Sequence, residues 1–109
     1  MRLLCFLALA GCADDRGPRL SSVAPAAAPR GALVMLTGDR LCGGDCETAA
    51  GEIQLGLELP TTIASVIEYD DDRAIIEIPS STALGPTEII VTVNDRSSNA
   101  IAFEVLAPP

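Results

Sequence analysis

Any chemistry in this 109-residue chain has to come from thiols and carboxylates. Its seven basic residues are all Arg; His and Lys are absent. No Ser-His or Cys-His pair, Ser-Lys dyad or Schiff-base lysine can therefore form. Two of the four cysteines, Cys42 and Cys46, are separated by Gly43-Gly44-Asp45. Two thiols fall short of the four N or S ligands that zinc takes as a rule. Calcium takes oxygen ligands, and two acidic clusters could offer them: Asp70, Asp71 and Asp72, or Asp39, Asp45 and Glu47. Neither has the spacing of a calcium-binding loop. Three adjacent aspartates are ordinary hairpin-turn residues, so no metal is expected, with Asp70, Asp71 and Asp72 as the calcium candidates. Glu52, Glu58, Glu77, Glu88 and Glu104 fall at outward strand positions. They read as a solvated face rather than as the paired carboxylates of acid–base catalysis. No cofactor and no enzymatic activity are expected.

The N-terminus has a different character. Arg2 precedes an apolar run, Leu3, Leu4, Cys5, Phe6, Leu7, Ala8 and Leu9, too short to span a bilayer as a helix. Small residues then lead into Cys12, and Ala13-Asp14-Asp15-Arg16-Gly17-Pro18 turns abruptly polar. That break disfavours the alternative of a buried N-terminal strand containing Gly11-Cys12. The segment Leu9-Ala10-Gly11-Cys12 resembles the bacterial lipobox. The resemblance implies that residues 1–11 are a signal peptide and that Cys12 is thioether-linked to diacylglycerol as residue one. The basic and apolar regions are brief for such a signal, which points to a start codon upstream. Ala13, where the enterobacterial retention rule has aspartate, favours the outer membrane of a bacterial envelope.

Export sets the redox compartment. With Cys5 removed and Cys12 acylated, Cys42 and Cys46 form an even pair in an oxidising milieu, where a disulfide is the default. Thioredoxin-like sites place two residues between the cysteines at a helix start, so three in a Gly-rich turn favour a structural bridge over a redox-active one. So small a loop gains little entropic stabilisation. The bridge is expected to stiffen one loop.

Residues 12–109 carry six Arg against fifteen Asp or Glu. Such a balance excludes the positive footprint of a nucleic-acid binder and a polybasic grip on anionic lipid. Membrane contact then falls to the acyl chains on Cys12. The length suits one domain with a modest core. Residues 12–17 form a linker, and the path from Cys12 to Pro18 reaches about 20 Å when extended. The domain occupies 18–106, and 107–109 is a tail.

Within that domain the grammar is strands and turns. Leu20 and Val23 open a strand that ends at Pro25. Prolines at both ends make Ala26–Gly31 a poor helix. From Gly31 to Gly38, Val34 and Leu36 share one face, with Leu33, Met35 and Thr37 on the other. A loop over 39–51 holds the cysteine pair. The stretch Glu52–Glu58 predicts a strand with Ile53, Leu55 and Leu57 inward, and Thr62–Tyr69 a further one. After Asp70–Asp72 come Ala74, Ile76 and Ile78 on one face, then Ile89, Val91 and Val93, a turn at Asn94–Ser98, and Ile101, Phe103 and Val105. About seven strands at this spacing predict an all-β fold, a β-sandwich.

Two stretches resemble the opening of an IPT/TIG domain: Leu20-Ser21-Ser22-Val23-Ala24-Pro25 and Arg30-Gly31-Ala32-Leu33-Val34-Met35-Leu36-Thr37-Gly38. Ile76-Glu77-Ile78-Pro79, Gly85 and Ile89–Val93, and then Asn99–Val105, resemble its second half. The similarity runs from about Pro18 to Leu106. It departs at Leu41, where the family has an aromatic, and in the long 39–51 loop with its local cysteine pair. The resemblance implies an immunoglobulin-like sandwich of the kind found in envelope proteins and as accessory modules. A sandwich hosts many functions. The expectation is a non-catalytic, lipid-anchored module with an unidentified envelope protein as partner, met through the stiffened loop or at a sheet edge. The alternative is an accessory subunit of an enzyme or surface assembly formed by other chains.

Overall fold

Alternating aliphatic residues bury one face of each strand, and two sheets close over the shared core. The computed structural model describes residues 17–42, 46, 51–57 and 61–108. Among the described residues ten strand segments run in chain order as β1 (Arg19–Ala24), β2 (Ala27–Pro29), β3 (Leu33–Asp39), β4 (Glu52–Leu55), β5 (Thr62–Ile63), β6 (Ser65–Tyr69), β7 (Arg73–Glu77), β8 (Gly85–Val93), β9 (Arg96–Ser97) and β10 (Ile101–Leu106). One sheet has the order β1-β3-β7-β6; the other has the order β2-β10-β8-β4-β5, with β9 paired to β8. All pairings are antiparallel except β2 with β10, where Ala27, Ala28 and Pro29 run parallel to Glu104, Val105 and Leu106. The fold is an immunoglobulin-like β-sandwich.

The core forms where the alternation places it. Val34 and Leu36 from β3, Ala74 and Ile76 from β7, Ile53 and Leu55 from β4, Ile89 and Val91 from β8, and Phe103 and Val105 from β10 are buried together. Ile78 and Leu41 extend the cluster beyond the strands. Burial of each of the larger side chains among them contributes roughly 1.5–3 kcal/mol.

Three expectations need correction. The strand predicted over Glu52–Glu58 stops at Leu55, because Gly56 turns the backbone to φ +93°, a conformation that glycine adopts without steric cost. Leu57 is consequently exposed rather than inward; Glu58 and Pro60 lie outside the described residues. The stretch Thr62–Tyr69 is not one strand. It pairs with β4 through Thr62 and Ile63, crosses the sandwich at buried Ala64, and continues as β6 against β7. Ala26–Gly31, correctly no helix, contains β2, since the chain leaves the first sheet at Pro25 and joins the edge of the second.

The turn at Asn94 and Asp95 follows hairpin logic. Both residues have positive φ, 53° and 65°, as a two-residue type I′ loop requires, and Val93 faces Arg96 across it.

The loop end and the candidate functional site

The register puts the cysteine loop, the triple-aspartate turn and the start of the domain at one end of the sandwich. Arg19 faces Asp39 on β3, and the turn between β6 and β7 packs beside them. Asn99 closes this end with both halves of its amide, its Oδ1 accepting from Leu20 N–H at 2.8 Å and its Nδ2 donating to Leu20 O at 3.0 Å.

Cys42 and Cys46 form the expected disulfide. Cys42 is fully buried and Cys46 is exposed. The loop base is fastened to the aspartate turn by three interactions. Leu41 N–H donates to Asp71 O at 2.8 Å, Cys42 N–H donates to the Asp71 carboxylate at 3.1 Å, and the Tyr69 hydroxyl donates to Leu41 O at 2.5 Å. Gly38 N–H also donates to Asp72 O at 2.9 Å. Leu41, where the family resemblance expects an aromatic, is wholly buried in the main core. Gly51 comes so close to Tyr69 that a Cβ there would overlap the phenol oxygen. Glycine is needed for that approach.

These contacts define what the calcium candidates do. Asp71 anchors the cysteine loop, Asp72 lends its carbonyl to β3, and Asp70 closes the turn by donating its N–H to Arg73 O at 2.8 Å. Among the described residues, the three donors that converge within 4.8 Å are Cys42, Cys46 and Asp71. The two sulfurs are bonded to each other, which leaves that set one free carboxylate. Leu9, Ala10, Gly11 and Cys12 lie outside the described residues, as do Asp45 and Glu47.

Tyr69 is the only tyrosine, and the chain has no Trp. Half-burial pushes its hydroxyl up to about 12 from the ordinary value near 10; the Gly51 backbone hydrogen bond works against this and the Asp71 charge adds to it. Between those two values the unfolded chain has lost the proton that the folded chain keeps, so stability falls as pH rises from 10 to 12. Absorbance at the tyrosinate band is expected to follow a single transition near pH 12 in the folded protein. Tyr69→Phe is expected to remove that alkaline loss and to cost about 1 kcal/mol at neutral pH. A midpoint near 10 would mean that the hydroxyl is not engaged.

At the opposite end Arg30 Nε donates to Thr82 O at 2.7 Å. A shallow recess of about 300 Å³ there is lined by Gly31, Ser65, Glu77, Pro79, Ser80 and Ser81, with Glu77 its single titratable group. Alone, a carboxylate among hydroxyls supplies neither an acid–base pair nor a nucleophile with its base.

No family model and no curated protein matches the chain. Among solved structures it is similar to part of a γ-CGTase from alkalophilic Bacillus clarkii, with 27% identity and a TM-score of 0.68 over 83% of this chain and 12% of that one. A protein provisionally assigned as a phosphatase from Bacteroides thetaiotaomicron matches over 84% of this chain and 19% of its own, with 15% identity and a TM-score of 0.52. The chain thus spans a minor part of both proteins, and the second likeness concerns the fold alone.

Proposed function

We propose that this protein is a non-catalytic, lipid-anchored component of a bacterial cell envelope, in which an IPT/TIG-type sandwich acts as an interaction or structural module. The observation that carries the reading is Cys12, set behind Leu9-Ala10-Gly11 and ahead of a short polar linker. The Cys42–Cys46 bridge, expected of an oxidising compartment, supports it. Absence of His and Lys supports the lack of catalysis.

Anchoring at Cys12 has a geometric consequence. The first described residues belong to the loop end, so that end faces the bilayer and any partner is met in the same membrane or just above it. No helix among the described residues is long and apolar enough to cross a membrane. Washing membranes with alkaline carbonate or 1 M salt, on the order of ten times the ionic strength that gives a 10 Å screening length, is expected to leave the protein in the pellet, with detergent releasing it. Release by carbonate or salt alone would contradict the anchor.

A second reading, an accessory subunit of an enzyme supplied by other chains, is supported by the likeness to part of the γ-CGTase, in which a similar sandwich occupies 12% of a longer protein. A reproducible enzyme partner in detergent extracts supports it; isolation of the protein alone favours the first reading.

A further inference from the structure

We infer that the free edge of β6 is the contact surface of this protein, and that it receives an extended polypeptide segment in which apolar residues alternate with Arg or Lys. The segment would add as a fifth strand to the β1-β3-β7-β6 sheet. The inference rests on the reading of the chain as an interaction module and supplies the surface and the partner's chemistry.

An exposed edge strand offers unpaired N–H and C=O groups as a template for another chain. The four edges of this sandwich are not equivalent. The edge of β1 is capped at Leu20, whose N–H and C=O are both taken by the Asn99 amide. On the other sheet, β2 is three residues long and contains Pro29, and β5 has only two residues. β6 has five residues, Ser65–Tyr69. Among the described residues no side chain caps Ser65 to Glu68.

Its side chains specify what should lie beside it. Val66 pairs with Ile76 and points to the core side of the sheet, yet remains 43% exposed. A residue added next to it on that side must be apolar to cover it. Glu68 pairs with Ile75 on the outer face, in a row that continues through Met35 to Ala24. Glu77 and Ser65 lie in the neighbouring outer row, beside exposed Leu33. An added residue facing Glu68 is best matched by a cation, since opposite charges directly across strands attract. Beyond β6 the chain enters Asp70-Asp71-Asp72, which extends the acidic surface in the strand direction, with Asp70 partly offset by Arg73 at 3.9 Å. Core side and outer face alternate along a strand, hence the apolar–basic pattern.

The same features reject a second copy. Two chains of net charge −8 would repel each other, and β6 offers no cation to face the Glu68 of another copy.

The test uses the full chain in detergent micelles and two acetylated, amidated peptides, Thr-Val-Lys-Val-Arg-Val-Thr and Thr-Val-Glu-Val-Glu-Val-Thr. Titration calorimetry is expected to give at least tenfold tighter binding of the basic peptide, with slowed amide exchange at Ser65–Glu68. Glu68→Lys should weaken the basic peptide at least fivefold, strengthen the acidic one and leave Tm unchanged. Equal binding of both peptides, no binding at millimolar concentration, or protection centred on β1, β5 or the cysteine loop would overturn the inference. Failure here leaves detergent-only extraction untouched, and failure of the anchor leaves the peptide result untouched, so the two are distinguishable.

Discussion

Replacing Cys12 by alanine is expected to move the protein from the membrane pellet to the soluble fraction almost completely. Each buried methylene of an acyl chain contributes about 0.8 kcal/mol, and a single myristoyl chain gives only marginal binding. The diacylglycerol implied at Cys12 carries two chains, enough for stable attachment. Little else in the molecule would compensate. The chain has a net charge of −8, which opposes adsorption to anionic headgroups. Cys12 precedes the sandwich, so Tm of the released protein should match that of the anchored form. Persistence of Cys12→Ala in washed membranes would show that another feature holds the protein there.

Leu41→Ala is expected to be the more damaging change to stability. Leu41 is fully buried, and among the described residues it joins the cysteine loop to the main core. Truncating a buried leucine costs about 2–5 kcal/mol. In a domain of this size each kcal/mol shifts Tm by about 4–8 °C, so a fall of about 10 °C or more should be visible in thermal unfolding. The loss should also spread to the aspartate turn, because Leu41 N–H and C=O hold Asp71 and Tyr69. Amide exchange at Leu41 and Cys42 is expected to accelerate well beyond the global change. A loss below about 1 kcal/mol, typical of a surface substitution, would mean that the loop rests on the sandwich without packing into it.

The alternation of Val34 with Leu36, of Ala74, Ile76 and Ile78, and of Ile89, Val91 and Val93 made most of the core readable from the chain, because strand burial has a period of two. What escaped was decided by which sheet each segment joins and by single backbone turns. The crossing at Ala64 depends on β5 finding β4 while β6 finds β7, and no local feature of Thr62–Tyr69 distinguishes this from one continuous strand. Leu57 fits the inward phase of its strand, but Gly56 ends that phase one residue earlier. β2 is held by parallel pairing with β10, some 77 residues on, which a tract of Ala and Pro does not announce.

The loop end was half legible. Spacing and compartment pointed to the Cys42–Cys46 bridge, and the triple aspartate read as a turn. That Asp71 fastens this bridge to the sandwich depends on a hydrogen bond spanning 29 residues. Asn99 is the clearest omission: its amide imitates a neighbouring strand at Leu20 across 79 residues. An isolated Asn ahead of a strand carries no sign of such a partner.

Attachment through Cys12 is the claim on which the proposed compartment, the orientation of the loop end and the reach to a partner all depend. Intact-mass and fragment spectrometry of the N-terminus of the protein purified from its native membranes addresses it directly. The expected result is a chain that starts at Cys12 with a diacylglyceryl thioether. A chain that starts upstream of Cys12 and carries an unmodified thiol at that position would contradict the account.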